Sequence, residues 1–401
     1  MRQNTIAGAL LRMERIRQDK GQKEICYGIC VPSYMSKIEH GSVCPDDKII
    51  AALFERLGIV YEENEQALTE WETKTEDYFY RLQYCLDTET VYKELAENDT
   101  VLSYSRLAVD WLLIKGFEEG GTPELLETLK EYMRPKQLAY YRILQSWERQ
   151  SFPESVEYCN EALRILGNSF AITQLCEAYM MQGDYTAIHR MENKLVATAV
   201  EEGNTYRLAD YFFLNGTAYA CLNLEEMMLL YYERSMRLLQ NTEWKKASAD
   251  LYYNMGATYI SLKKYDLSLK YLDMAEASGV SNLPDSMALD HKKAVALIRS
   301  GNKEQAGIYL EKMRVRIAQS EDKNEADILK YEEACWECKE NFMDDPAYLE
   351  LLEKLIKALK RERHFGHLYF YRDIITQAYT RQRKYKKALE FEQEISSRIQ
   401  G

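Results

Sequence analysis

The chain has 401 residues, a formal charge of −12 and 46% hydrophobic residues, enough length for two or more domains or one extended repeat array and enough apolar content for a sizeable core. Seven Pro and 18 Gly favour helix over sheet, and no stretch approaches the roughly 18 apolar residues of a membrane span. The acidic balance speaks against nucleic-acid binding by the chain as a whole, but it is uneven: residues 1–60 carry nine Lys/Arg against seven Asp/Glu, net +2, and the remainder is −14, a mildly basic head on an acidic body.

The N-terminus, "MRQNTIAGALLRMERIRQDK", has charges inside its apolar run and does not read as a signal peptide. The nine Cys are scattered, as in a reduced, cytoplasmic protein. In "IAGALLRMERIRQ", Ile6, Leu10, Met13 and Ile16 fall at helical spacing, and Gly21 is placed to stop the helix. "QKEICYG" predicts a short helix. After a turn at "ICV", "PSYMSKIE" predicts another, with Pro32 in its first turn and Gly41 past its end. "PDDKIIAALFERLG" restarts on Pro45, Asp46 and Asp47 and ends at Gly58. Several helices in about 60 residues, two of them short and joined by a tight turn, make a helix-turn-helix layout.

Residues 61–75 are polar and acidic and predict a linker helix. Beyond them one theme recurs: a small residue, an aromatic or Leu three positions on, a turn, and a second helix. It is carried by Gly216 and Tyr219, Gly256 and Tyr259, Cys176 and Tyr179, Ala294 and Leu297, and Thr376 and Tyr379. These offsets resemble the tetratricopeptide repeat, in which two antiparallel helices approach through small residues and aromatics fill the space between repeats. They also give the 31 Tyr a structural purpose. The expected fold is all-α: an N-terminal helix-turn-helix over 1–60, the linker over 61–75, and a right-handed superhelix of about seven to nine tetratricopeptide-like helix pairs over 76–401.

"QKEICYGICVPSYMSKIEHG" resembles the helix-turn-helix of the phage-repressor-like (XRE) family. The matching residues are Gln22, Ile25, the run Ser36-Lys37-Ile38-Glu39, and Gly41. The turn before the recognition helix is one residue shorter than in most members, as in PlcR-type regulators. With the repeats behind it, the chain resembles the peptide-responsive quorum-sensing regulators of the Rgg/NprR/PlcR/PrgX group. The resemblance implies a tie between Arg15 and Glu39, a double-stranded DNA operator, a homodimer, and a short linear peptide bound to the repeats. A recognition helix reads base edges with its N-terminal residues. Here these are Pro32, Ser33 and Tyr34, with Lys37 one turn on as the strongest single candidate for guanine. Gln22 and Lys23 are placed for phosphate.

A repeat groove suits an extended peptide, whose unpaired backbone groups Asn side chains can satisfy. The candidates are Asn254 and Asn215, flanked by Gln174, Asp210, Phe213, Asp250, Tyr253 and His291. The acidic body predicts a groove suited to a basic or neutral peptide. Nothing has the pattern of an enzyme: there is no phosphate loop, "HExxH" or nucleophile elbow. Cys335 and Cys338 form a lone CxxC, and His364 and His367 lack a partner at motif spacing, so no metal or other cofactor is expected. The reading is a peptide-controlled DNA-binding regulator that does not engage membranes. The alternative is a scaffold whose repeats bind a protein partner and whose head does not bind specific DNA.

Overall fold

The computed structural model describes residues 5–62, 64–148, 152–222, 224–240, 245–278, 286–320, 324–362 and 365–399, which form helices and turns with no strand among them. It divides into two compact units, Met1–Gln174 and Leu175–Gly401.

The first unit begins with α1 (Thr5–Arg17), α2 (Gln22–Cys26), α3 (Pro32–Glu39) and α4 (Asp47–Arg56). Helix α1 is stopped by Asp19, not by Gly21. Asp19 adopts a left-handed φ of 53° and the Lys20 N–H returns to the Arg15 carbonyl at 3.0 Å, whereas Gly21 is the extended N-cap of α2. The sequence places a Gly nearby, but Asp also tolerates the left-handed region. Asp46 caps α4 by accepting from the Lys48 N–H at 2.9 Å.

Next come α5 (Glu65–Gln83), α6 (Glu89–Ala96), α7 (Asp99–Ser103), α8 (Ala108–Glu119), α9 (Glu124–Leu129), α10 (Pro135–Trp147), α11 (Phe152–Leu166) and α12 (Ser169–Gln182). Residues 61–75 are not a separate linker. Tyr61 stacks on Phe54 with ring centroids 4.8 Å apart, and α5 buries Leu68, Thr75, Tyr78 and Phe79. The acidic composition that suggested a tether belongs to one face of an amphipathic helix. A single apolar core therefore runs from Ile6 through Leu53, Phe54 and Trp111 to Phe170.

Glu14 ties α1 into this core. Its carboxylate accepts from Arg17, from Gln18 at 2.7 Å and from the Tyr104 hydroxyl at 3.1 Å. The Arg17 hydrogen bond is the main reason its carboxyl is held down at about 2, below the ordinary 4.5. A depressed folded-state pKa contributes stability at neutral pH that is lost as pH falls from about 4.5 toward about 2. An acid titration followed by circular dichroism should lose part of its slope in that window in Glu14→Gln; an unchanged acid limb would show that the Glu14 contacts do not contribute.

The second unit stacks helix pairs: α15 (Thr205–Cys221) with α16 (Glu225–Leu239), α17 (Lys245–Ser261) with α18 (Tyr265–Ala277), α19 (Ser286–Arg299) with α20 (Lys303–Gln319), and α21 (Glu325–Glu337) with α22 (Pro346–Glu362). Before them lie α13 (Tyr185–Arg190) and α14 (Glu192–Glu202). The last pair is α23 (Phe365–Phe370) and α24 (Arg372–Arg381) with α25 (Tyr385–Ile399).

The repeated motif explains these pairs at atomic level. Gly183, Lys263, Gly301 and Arg383 stand at corresponding turn positions, and all have positive φ. The following N–H returns to a carbonyl five residues back: Asp184 to Tyr179 at 3.0 Å, Lys264 to Tyr259 at 2.9 Å, Asn302 to Leu297 at 2.8 Å, and Lys384 to Tyr379 at 2.8 Å. This is the Schellman closure, and the residue three after the small one supplies its acceptor. The small residue marks the crossing itself. A Cβ on Gly216 would stand 2.5 Å from the Tyr232 ring, and one on Gly256 would stand 2.6 Å from Leu272.

Candidate functional site

In the head, α2 and α3 meet through a buried clasp. Glu39 is 2% exposed. It accepts from Arg15 Nε at 2.6 Å and Nη2 at 3.0 Å, and from Gln22 Nε2 at 2.7 Å. Arg15 also donates to the Lys20 carbonyl at 2.8 Å. A bidentate Arg–carboxylate pair with a third donor fixes orientation as well as adding energy. It joins α1, α2 and the end of α3, so the start of α3 is held with Pro32, Ser33 and Lys37 exposed. Lys23 is exposed as well, but the Gln22 side chain, expected at a phosphate, is turned inward onto Glu39. Tyr34 is half-buried and packs against the core, which limits its ring as a reading element. Val31 and Tyr27, 61% and 79% exposed, project beside it.

The groove candidates separate. Gln174 lies in the first unit, buried, and accepts from Trp147 Nε1 at 2.7 Å. Asn215 is fully buried. It is hydrogen-bonded through Oδ1 to His189 Nδ1 and through Nδ2 to the Tyr211 hydroxyl at 3.3 Å, so it is a satisfied inter-helix group and not a groove ligand. It stands one position off the register of Asn254, and one helical step of about 100° turns it inward. Asn254 is half-buried and donates to the Asp250 carbonyl at 3.0 Å. Asp250 is half-buried too. Asp210 pairs with Arg207 at 3.3 Å; burial pushes its carboxyl up while Arg207 opposes the shift. Phe213 stacks on Tyr232 at 6.0 Å.

Tyr253 and His291 of this set share a cavity of ≈ 60 Å³ whose wall also includes Lys292, Lys330, Phe370 and Tyr371. His291 Nε2 is hydrogen-bonded to the Tyr371 hydroxyl at 3.0 Å. Burial, then the neighbouring Lys292, pushes the His291 pKa well down. Beside it, Arg299 makes a bidentate pair with Glu337 at 2.9 and 2.7 Å, and Glu333 accepts from Tyr348 at 2.9 Å. Burial and the Glu337 carboxylate push the Glu333 carboxyl up.

The sequence reading named neither Lys292 nor the 369–371 aromatics. A cue lay in "DHKKAVALIR", where two adjacent Lys run directly into the apolar stretch of the helix. Cys335 and Cys338 are half-buried thiols whose pKa burial pushes up. His367 lines the cavity, while His364 lies outside the described residues. Among the described residues no group of three His, Cys, Asp or Glu could hold a metal, and no helix is long and apolar enough to cross a membrane.

No family model and no curated protein matches the chain. Among solved structures it is similar to the crystal structure of a Rap protein complexed with competence and sporulation factor. The TM-score is 0.61 at 13% identity over 83% of this chain and 98% of that one. At that identity the likeness is one of fold: the chain shares the tetratricopeptide-like, all-helical architecture of a Rap protein.

Proposed function

We propose that the chain is a DNA-binding transcriptional regulator controlled by a short peptide held by its repeats, acting as a cytoplasmic homodimer and not as an enzyme. The observation that carries the reading is the Arg15–Glu39–Gln22 clasp, which leaves the start of α3 exposed. It supports the resemblance to the Rgg/NprR/PlcR/PrgX regulators at the residues that define their head. The Rap protein of similar fold was crystallised with competence and sporulation factor, which supports a signal-binding body. One recognition helix reads few base pairs, so paired half-sites and a dimer follow. The signal would act by binding better to one arrangement of the two heads.

A gel shift on the protein's own upstream region, run across a salt series, tests the DNA half. Wild type should prefer specific over random duplex, and Lys37→Ala should lower that preference by roughly tenfold, the worth of about one good base contact. Binding without sequence preference would instead favour the scaffold reading, with a protein partner on the repeats. Mass spectrometry of small ligands co-purified with the full chain tests the peptide half.

A further inference from the structure

Lys292 is 9% exposed, yet among the described residues no carboxylate and no hydrogen-bond acceptor is paired with its ammonium. Its Nζ stands 2.9 Å from the centroid of the Phe370 ring. The next residue, Lys293, is 1% exposed and is met by Asp273 at 2.6 Å and Glu276 at 2.5 Å. One helix therefore buries two adjacent lysines, and of the two only Lys293 is met by carboxylates among the described residues. Buried charges are paired almost without exception, because desolvation of a lone ammonium is costly.

The surroundings do not supply the missing anion. Burial, then Lys330 and Arg299, pushes the Lys292 pKa well down, with Glu333 opposing, so its ammonium is held at a cost that an arriving anion would relieve. Asp327 is engaged with Lys330 at 3.2 Å. Glu333 is held by Tyr348, and burial beside the Glu337 carboxylate favours its neutral form. Lys292 instead lines the ≈ 60 Å³ cavity, several times the roughly 10–15 Å³ that admits a single water. In a chain of charge −12, this is a small cavity walled by Lys292 and by the Lys330–Asp327 pair, with Tyr253, Phe370 and Tyr371 as aromatic lining.

We infer that this cavity is a carboxylate-binding subsite in which the Lys292 ammonium, with Lys330 beside it, takes the anionic group of the ligand. The inference rests on the peptide reading and sharpens it. To the basic or neutral peptide expected from the body's net charge it adds an anchor, a carboxylate from either the chain end or an acidic side chain.

The test uses the full chain, Lys292→Met and, as a milder variant, Lys330→Gln, each checked for wild-type circular dichroism. Three probes are compared: sodium acetate by thermal shift, and two hexapeptide libraries, free-acid and C-terminally amidated, by affinity selection with mass spectrometry. Wild type should retain free-acid peptides about tenfold or more above Lys292→Met, the scale of a charge-assisted contact. Lys330→Gln should fall between them. Loss of retention on amidation identifies the chain end as the source. Retention of amides enriched in Asp or Glu identifies the side chain. Either upholds the subsite. Retention that is equal for acids and amides, without acidic enrichment and unchanged in Lys292→Met, overturns it and leaves the peptide reading standing. Acetate protecting wild type but not Lys292→Met, with no peptide retained, upholds the subsite and sinks the peptide reading. No response to any probe overturns both.

Discussion

Replacing Gly8 by alanine is expected to open the head at the crossing of α1 and α3. A Cβ at Gly8 would lie 1.9 Å from the Ile38 carbonyl oxygen and 2.7 Å from its carbon. These are backbone atoms of a helix end, which cannot swing aside as a side-chain tip would. Ile38 is 1% exposed and Glu39 follows it, so relief requires moving both the core contact and the clasp. Overpacking of this kind costs about 3 kcal/mol or more when the obstacle is main chain. Gly307→Ala is the matched control: it lies within α20, and a Cβ there meets nothing within 4 Å. It should be neutral or stabilising by about 0.5–1 kcal/mol. Urea unfolding by circular dichroism compares the two, and equal midpoints would mean that α1 and α3 do not cross at Gly8.

Glu39→Ala should be the most damaging single change to the clasp. It removes the acceptor of both Arg15 contacts and of Gln22. It leaves a guanidinium whose side chain is only 14% exposed with the Lys20 carbonyl as its remaining partner. Removing one member of a buried pair costs roughly 3–5 kcal/mol, whereas replacing both members by apolar residues of similar volume is often close to neutral. The double variant Arg15→Met/Glu39→Leu should therefore recover much of the stability lost in Glu39→Ala. If the single and double variants unfold at the same denaturant concentration, the pair is not coupled. The two effects also separate fold from function. A stable double variant that no longer prefers specific DNA would assign the clasp to aiming α3 and not merely to holding it.

Under the proposed function the aiming matters because the N-terminal end of α3 is chemically sparse. Pro32 offers no side-chain donor or acceptor, and Tyr34 packs inward. Ser33 and Lys37 remain exposed. In the proposed function, specificity would then depend on few side chains and on where the clasp holds them, which raises the value of a dimer that sums two half-sites.

The helix pairs were legible in the sequence by itself because the code for them is local. A small residue, an aromatic or Leu three on and a turn residue seven on lie within one helix end, and the Schellman hydrogen bonds that close it span five residues. The same holds for Arg15 and Glu39, since three consecutive helices, α1 to α3, bring them together. What only the tertiary structure decided lies at longer range or at finer angular resolution. Residues 61–75 read as a tether because composition does not say which face of a helix is covered. Asn215 and Asn254 read alike because a step of one residue, not a change of type, turns one inward. Tyr371 meets His291 across 80 positions. The contrast between Lys292 and Lys293 depends on which carboxylates the neighbouring pair brings near. Pair geometry is set by hydrogen bonds and side-chain size along one turn of chain. The charge balance of a buried site is set by how successive pairs stack, and no local pattern encodes that.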